Sequence, residues 1–102
     1  MSTLEHLLTR RAQFFRIDSL ALRARIALAR LDYAEAIRLT EGLPITEAKG
    51  IRGRALWYSG DIERAADELE DMLRDPAVKD SWARDVAKLA RRGQGRHPFA
   101  IE

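Results

Sequence analysis

The fold class this sequence predicts is all-α, built from antiparallel helical hairpins stacked side by side, about six helices in all. Three observations predict it. Ala, Leu, Arg and Glu dominate and β-branched residues are scarce, a balance that favours helix over strand. Apolar residues recur at steps of three and four along most of the chain, the period of an amphipathic helix. One local pattern is also used twice: Leu31-Asp32-Tyr33-Ala34-Glu35-Ala36-Ile37, then Gly60-Asp61-Ile62-Glu63-Arg64-Ala65-Ala66. Each copy places an Asp at a sharp turn, an apolar residue next, and an Ala four residues after the Asp. The copies lie 29 residues apart, room for a helix-turn-helix unit, and a unit repeated at this length points to a stacked array.

The elements follow in order. Ser2-Thr3-Leu4-Glu5 reads as a capping box, and Leu4, Leu7, Leu8, Ala12 and Phe15 continue at helical spacing, so a first helix is predicted from about Thr3 to about Arg16. Asp18 or Ser19 caps a second helix. Its residues Leu20, Ala24, Ala27, Leu28 and Leu31 form one stripe, and Leu22, Ile26 and Ala29 a second. A helix apolar on two faces is expected to lie between neighbours, and Ala21, Ala24 and Ala27 let one of them come close. Asp32 caps a third helix with Glu35 at the capping-box position; Tyr33, Ala36 and Ile37 are its buried stripe. Gly42 and Pro44 stop it.

Thr46 is the predicted cap of a fourth helix over about Glu47 to Ser59, with Ala48, Ile51, Ala55 and Leu56 facing inward. Gly50 and Gly53 are poor helix formers, so they mark a close crossing or a looser first turn. Gly60 ends the helix and Asp61 caps the fifth. There Ile62, Ala65, Ala66, Leu69, Met72 and Leu73 share a face, while the charged residues from Glu63 to Arg74 are left mostly to solvent. Asp75-Pro76 reads as a stop and as the cap of a sixth helix carrying Val78, Trp82, Val86, Leu89 and Ala90, closed by Gly93. Residues 1–92 then form one domain. Residues 93–102, with the apolar knot Phe99-Ala100-Ile101, are expected to be a flexible or docking tail, or a linker to a further domain.

Composition bounds the function. The chain has 102 residues, 46% hydrophobic and 33% charged, the balance of one folded domain. It has no Cys, so disulfides, thiolate metal sites and a Cys nucleophile are excluded. No apolar run approaches the ~18 residues of a membrane span, and the first residues lack the layout of a secretory signal; a cytoplasmic location is expected. Eighteen basic and sixteen acidic side chains give a net charge of +2. They alternate through most of the chain, whereas a nucleic-acid binder gathers its basic charge on one side.

The placed helices carry a family resemblance. Gly53, Leu56, Gly60, Asp61, Ile62, Ala65, Leu69 and Pro76 resemble the pattern of a tetratricopeptide repeat. Ala24, Ala27, Leu31, Asp32, Tyr33, Ala36 and Pro44 resemble a shortened copy. The resemblance covers about Asp18 to Pro76 and departs from the family in its spacing, 29 residues against the usual ~34. It implies a short right-handed superhelix, a scaffold or chaperone-like function, and a concave groove lined by the first helix of each hairpin. Short arrays of this kind are similar in architecture to chaperones of type III secretion needle subunits. The matching groove positions are Arg25, Leu28 and Ala29 in the first repeat and Arg54, Trp57 and Tyr58 in the second. The two arginines occupy equivalent positions, suited to a carboxylate in a partner segment, and the aromatics offer rigid contact area. The plainer reading makes the arginines solvated surface charges and one aromatic a core residue. The Asn and Lys set of the family's carboxylate clamp is missing.

Other chemistry finds little support. Lys49, Arg52 and Arg54, and near the tail Arg91, Arg92, Arg96 and His97, are candidates for phosphate contact; Arg91 and Arg92 equally suit a helix C-terminus. His6 and His97 have no ligand at metal spacing. Asp67 and Asp71 are neighbours on a helix surface, and Gly93-Gln94-Gly95 is too short for a phosphate loop. The expected function is therefore protein–protein interaction without catalysis, metal or cofactor, with a protein or peptide segment as partner, an acidic one among the options. Self-association through the end faces of the array competes with this. So do a helical domain of a larger enzyme or membrane protein and a basic nucleic-acid binder.

Overall fold

The computed structural model describes the backbone of residues 3–96 and the side chains of residues 16–93. Among the described residues there are five helices and no strand: α1 (Thr3–Ala29), α2 (Tyr33–Thr40), α3 (Thr46–Ser59), α4 (Ile62–Leu73) and α5 (Ser81–Arg96). Each packs on the next, and α1 also reaches α3. The expectations for His97, Phe99, Ala100 and Ile101, and for the side chain of His6, lie outside the described residues. No helix of the described residues is long and apolar enough to cross a membrane.

The doubled motif is a doubled geometry. The amide of Asp32 donates to the Ala27 carbonyl and that of Asp61 to the Leu56 carbonyl, both at 2.9 Å. The Asp32 carboxylate accepts the Glu35 amide at 3.2 Å, and the Asp61 carboxylate accepts the Arg64 amide at 3.4 Å. Each bond satisfies a donor that the first turn of a helix leaves orphaned. The residue before each Asp is left-handed, with φ 64° at Leu31 and 94° at Gly60. Gly adopts that conformation freely; a side chain strains it, by about 1–2 kcal/mol. Ala36 and Ala65, four residues after each Asp, are fully buried.

The core lies in two patches. Ala24 and Ala27 of α1 meet Ala36 and Leu39 of α2 and Ile51 and Ala55 of α3. Leu69 and Met72 of α4 meet Ala83, Val86 and Ala87 of α5, with Trp57 and Trp82 packed against them. Small residues keep the helices close. A Cβ at Gly53 would lie 2.6 Å from Leu69 Cδ2, and one at Gly50 would lie 2.9 Å from Met72 Sδ. The two glycines therefore mark a close crossing of α3 and α4, the first of the two alternatives.

Several boundaries differ from expectation. The first and second predicted helices are one helix, α1, so there are five helices and not six among the described residues. Residues 3–29 contain neither Gly nor Pro, and cap-forming residues such as Asp18 and Ser19 do not end a helix unless the backbone turns there. The predicted sandwich fails as well: Leu22 and Ile26 are 49% and 44% exposed, and Ala29 is exposed. Glu35 bonds Arg38 instead of closing a capping box. Ile45 precedes α3 without a side-chain cap, while Thr46 Oγ1 donates to Asp75 at 3.4 Å. Asp75 accepts the Ala77 amide within a turn, and it is Asp80 that accepts the Ala83 amide at the start of α5. Val78 precedes that helix, Leu89 is 54% exposed, and α5 continues through Gly93 to Arg96.

Candidate binding surface

The six positions implied by the resemblance have different surroundings. Arg25 on α1 pairs with Glu47 at the start of α3 at 3.0 Å, with both side chains about half exposed. Leu28 packs against the first core patch, and Ala29 is exposed at the end of α1. Trp57 packs against the second patch, so it is the aromatic that serves the core. Tyr58 is 53% exposed. Its ring stacks on Tyr33 at 5.6 Å between centroids and on Trp82 at 6.2 Å. The guanidinium of Arg54 lies 4.5 Å from the centroid of Trp82 and pairs with Asp80 at 2.9 Å.

Arg54 and Tyr58 therefore meet on Trp82, one turn apart on α3. Arg25 and Arg54 each already hold a carboxylate of this chain, which the sequence reading left for a partner. Burial pushes Asp80 up, but the Ala83 amide and the Arg54 guanidinium outweigh it and hold the carboxyl below its ordinary value. Tyr33 and Trp82, read from the sequence as core, complete the stack. The signal available was an aromatic every 24 to 25 residues at positions 33, 58 and 82.

The basic segment of α3 is neutralised from within. Lys49 pairs with Asp71 at 2.8 Å and Arg52 with Glu68 at 2.9 Å. Arg52 is 6% exposed and also donates to the Thr40 carbonyl, tying the end of α2 to α3 and α4. Arg91 of α5 donates to Glu70 and Asp67 of α4. Its hydrogen bond holds Glu70 low, and a hydrogen bond from Lys49 does the same for Asp71. Part of the charged face of α4, expected mostly in solvent, is thus a seam against α3 and α5: Glu68, Glu70 and Asp71 are half-buried there, while Glu63, Arg64, Asp67 and Arg74 are exposed.

A cleft of about 490 Å³ opens between α1 and α2, with Asp32 and Glu35 on its wall. One carboxylate caps α2 and the other holds Arg38 at 2.6 Å; Glu35 is lowered mainly by that hydrogen bond. A carboxylate held ionised by a cation is poised to stay charged, not to exchange a proton near neutrality. Among the described residues no group of three or more His, Cys, Asp or Glu is placed to hold a metal ion. No protein-family model, curated protein or solved structure matches the chain.

Proposed function

We propose that this chain is a small tetratricopeptide-like interaction module. It holds a segment of another protein on the surface shared by α1, the start of α2, α3 and the start of α5, with no chemical step. The observation that carries the reading is the stack of Tyr33, Tyr58 and Trp82, with Tyr58 half open to solvent. A ring already fixed by its neighbours gives up little further entropy on contact, which is what makes aromatic anchors effective. Arg25 supports a place for an acidic residue of the segment, because its exposed pair with Glu47 is worth only about 0–1 kcal/mol and exchanges readily. The internal pairing of Lys49, Arg52, Arg54 and Arg91 favours protein over nucleic acid as the partner. The shared turn geometry at Asp32 and Asp61 supports the stacked-hairpin superhelix.

The test is selection of binders from a random-peptide library with the full chain, repeated with Tyr58→Ala and Arg25→Glu. Both side chains are about half exposed and neither belongs to a core patch; helicity by circular dichroism, unchanged in each variant, shows that the fold is kept. Peptides held by the parent chain are expected to lose roughly tenfold or more in affinity with Tyr58→Ala. Peptides that bind both proteins equally would reject this surface.

A further inference from the structure

Three arginines stand in one line along α1 and hold no carboxylate of this chain. Arg16, Arg23 and Arg30 are each exposed and make no ion pair among the described residues. By contrast, every arginine of α2, α3 and α4 pairs with a carboxylate of this chain. Seven residues are about two helical turns, so the three side chains leave one side of α1 at intervals of roughly 10.5 Å. Arg30 directly follows the last residue of α1, and its amide still donates to the Ile26 carbonyl at 3.0 Å, which keeps it on the line.

The line borders the cleft between α1 and α2. Arg23 and Arg30 stand on the α1 wall, and Ile26, Ala27 and Leu39 supply an apolar lining. The acids of the cleft are already engaged. Asp32 caps α2. Glu35 is held low first by the hydrogen bond from Arg38, and Arg23 adds a weaker pull. The charge left unmet beside the cleft is therefore positive, and it recurs every seven residues.

We propose that this line takes an amphipathic helix of a partner protein with Asp or Glu at every seventh position, its neighbouring aliphatic side chains entering the cleft. Opposite charges at a seven-residue spacing on two helices meet in register, as along the flanks of a coiled coil. Supercoiling absorbs the small angular lag of each heptad. An extended segment cannot match the interval. Its residues on one face lie roughly 6.7 Å or 13.4 Å apart, and those about 10 Å apart point to opposite sides. A nucleic-acid strand offers phosphates to the arginines but no aliphatic side chain to the lining. Arg25 lies roughly 160° around α1 from Arg23 at the helical period, so this surface is separate from the aromatic one and does not rest on it.

Fluorescence anisotropy with the full chain at physiological salt tests it. The probe is a labelled, alanine-rich peptide helix of three heptads, with Glu at every seventh position and Leu three residues after each Glu. A second peptide of the same composition carries Glu at every fifth position, which scatters the charges around its helix. The chain is expected to hold the heptad peptide roughly tenfold more tightly than the second. Arg23→Ala with Arg30→Ala, changes that an exposed helix tolerates, weakens capture by roughly fivefold or more. Arg16→Glu, Arg23→Glu and Arg30→Glu together reverse the preference, toward a peptide with Lys in place of Glu. Arg84→Glu, Lys88→Glu and Arg92→Glu together make the same charge change on α5 and leave capture within about twofold, because salt screens distant charges. Helicity by circular dichroism stays that of the parent in each variant. No capture of the heptad peptide overturns the proposal. So does equal capture of the two peptides, an equal loss from the α5 changes, or a single-stranded oligonucleotide that displaces the probe as well as unlabelled peptide does.

Discussion

Gly50 and Gly53 are one helical turn apart on α3 and face the same helix, yet they should respond differently to a methyl group. At Gly53 the new Cβ would stand 2.6 Å from Leu69 Cδ2 and 2.8 Å from Leu69 Cγ. Leu69 is fully buried and has nowhere to go. Gly53→Ala is expected to lower stability by about 1–3 kcal/mol through overpacking, despite the helix propensity gained. At Gly50 the close atom is the sulfur of Met72, near the free end of a flexible chain that can swing aside. Gly50→Ala should therefore fall within about 0.5 kcal/mol of the parent, the gain in propensity offsetting the adjustment. Urea unfolding of the two variants checks the contrast; equal losses would refute it. A close crossing was legible from the glycines themselves. Which of them is tight was not, because that depends on the atom opposite. The caps failed for a similar reason: Thr46, Asp75 and Asp80 are all able to cap, and only the path of the chain chooses Asp80.

Between elements, the ion pairs of α3 differ in burial, and burial should rank them. Arg52 has a 7% exposed side chain, with Glu68 at 25%, whereas Lys49 and Asp71 are 23% and 40% exposed. Arg52→Met leaves Glu68 without its cation and the Thr40 carbonyl without its side-chain donor, so a loss of about 3 kcal/mol is expected. Lys49→Met opens a more solvated pair and should cost about 1 kcal/mol or less. Chemical denaturation with near-constant m-values tests the order, and a Lys49 loss equal to that of Arg52 would contradict it. The stripe of α4 was readable because its period is unbroken from Ile62 to Leu73. The continuity of α1 was not: Asp18 and Ser19 carry a cap signal that the uninterrupted helical backbone overrides. Most charges of α4 are solvated as read, but Glu68, Glu70 and Asp71 are half-buried, because their partners lie in α3 and α5, some 16 to 22 residues away.

At the scale of the molecule, the radius of gyration is 16.6 Å, against about 13 Å for a compact domain of 100 residues. The helices are held across the α3–α4 and α4–α5 seams by charge as well as by the core. Hydrogen bonds from cations hold Glu70 and Asp71 below their ordinary values, and the Ala83 amide and Arg54 do the same for Asp80 against burial. A depressed carboxylate binds its proton less readily in the folded state. As pH falls, the unfolded chain takes up protons first, and stability is lost. That stabilisation is complete above the ordinary values of 4.5 for Glu and 3.8 for Asp and disappears as pH falls through the lower folded values. Melting temperature should be nearly flat from pH 7 to about pH 5.5 and decline below about pH 4.5, with a shallower decline in Arg91→Gln. Calorimetry across that range decides it, and an identical slope in the variant would remove the α4–α5 seam as the cause. By itself the sequence determined the helical class, the twin turns at Asp32 and Asp61, the helix stop at Gly60 and the stripe of α4. Each of those is fixed by residues within a turn or two of one another. The unbroken α1, the exposure of Leu22 and Ile26, the stack of Tyr33, Tyr58 and Trp82, and the pairing of the α3 cations were decided only in three dimensions. They depend on which distant side chains arrive at the same place, and spacing along the chain carries no record of that.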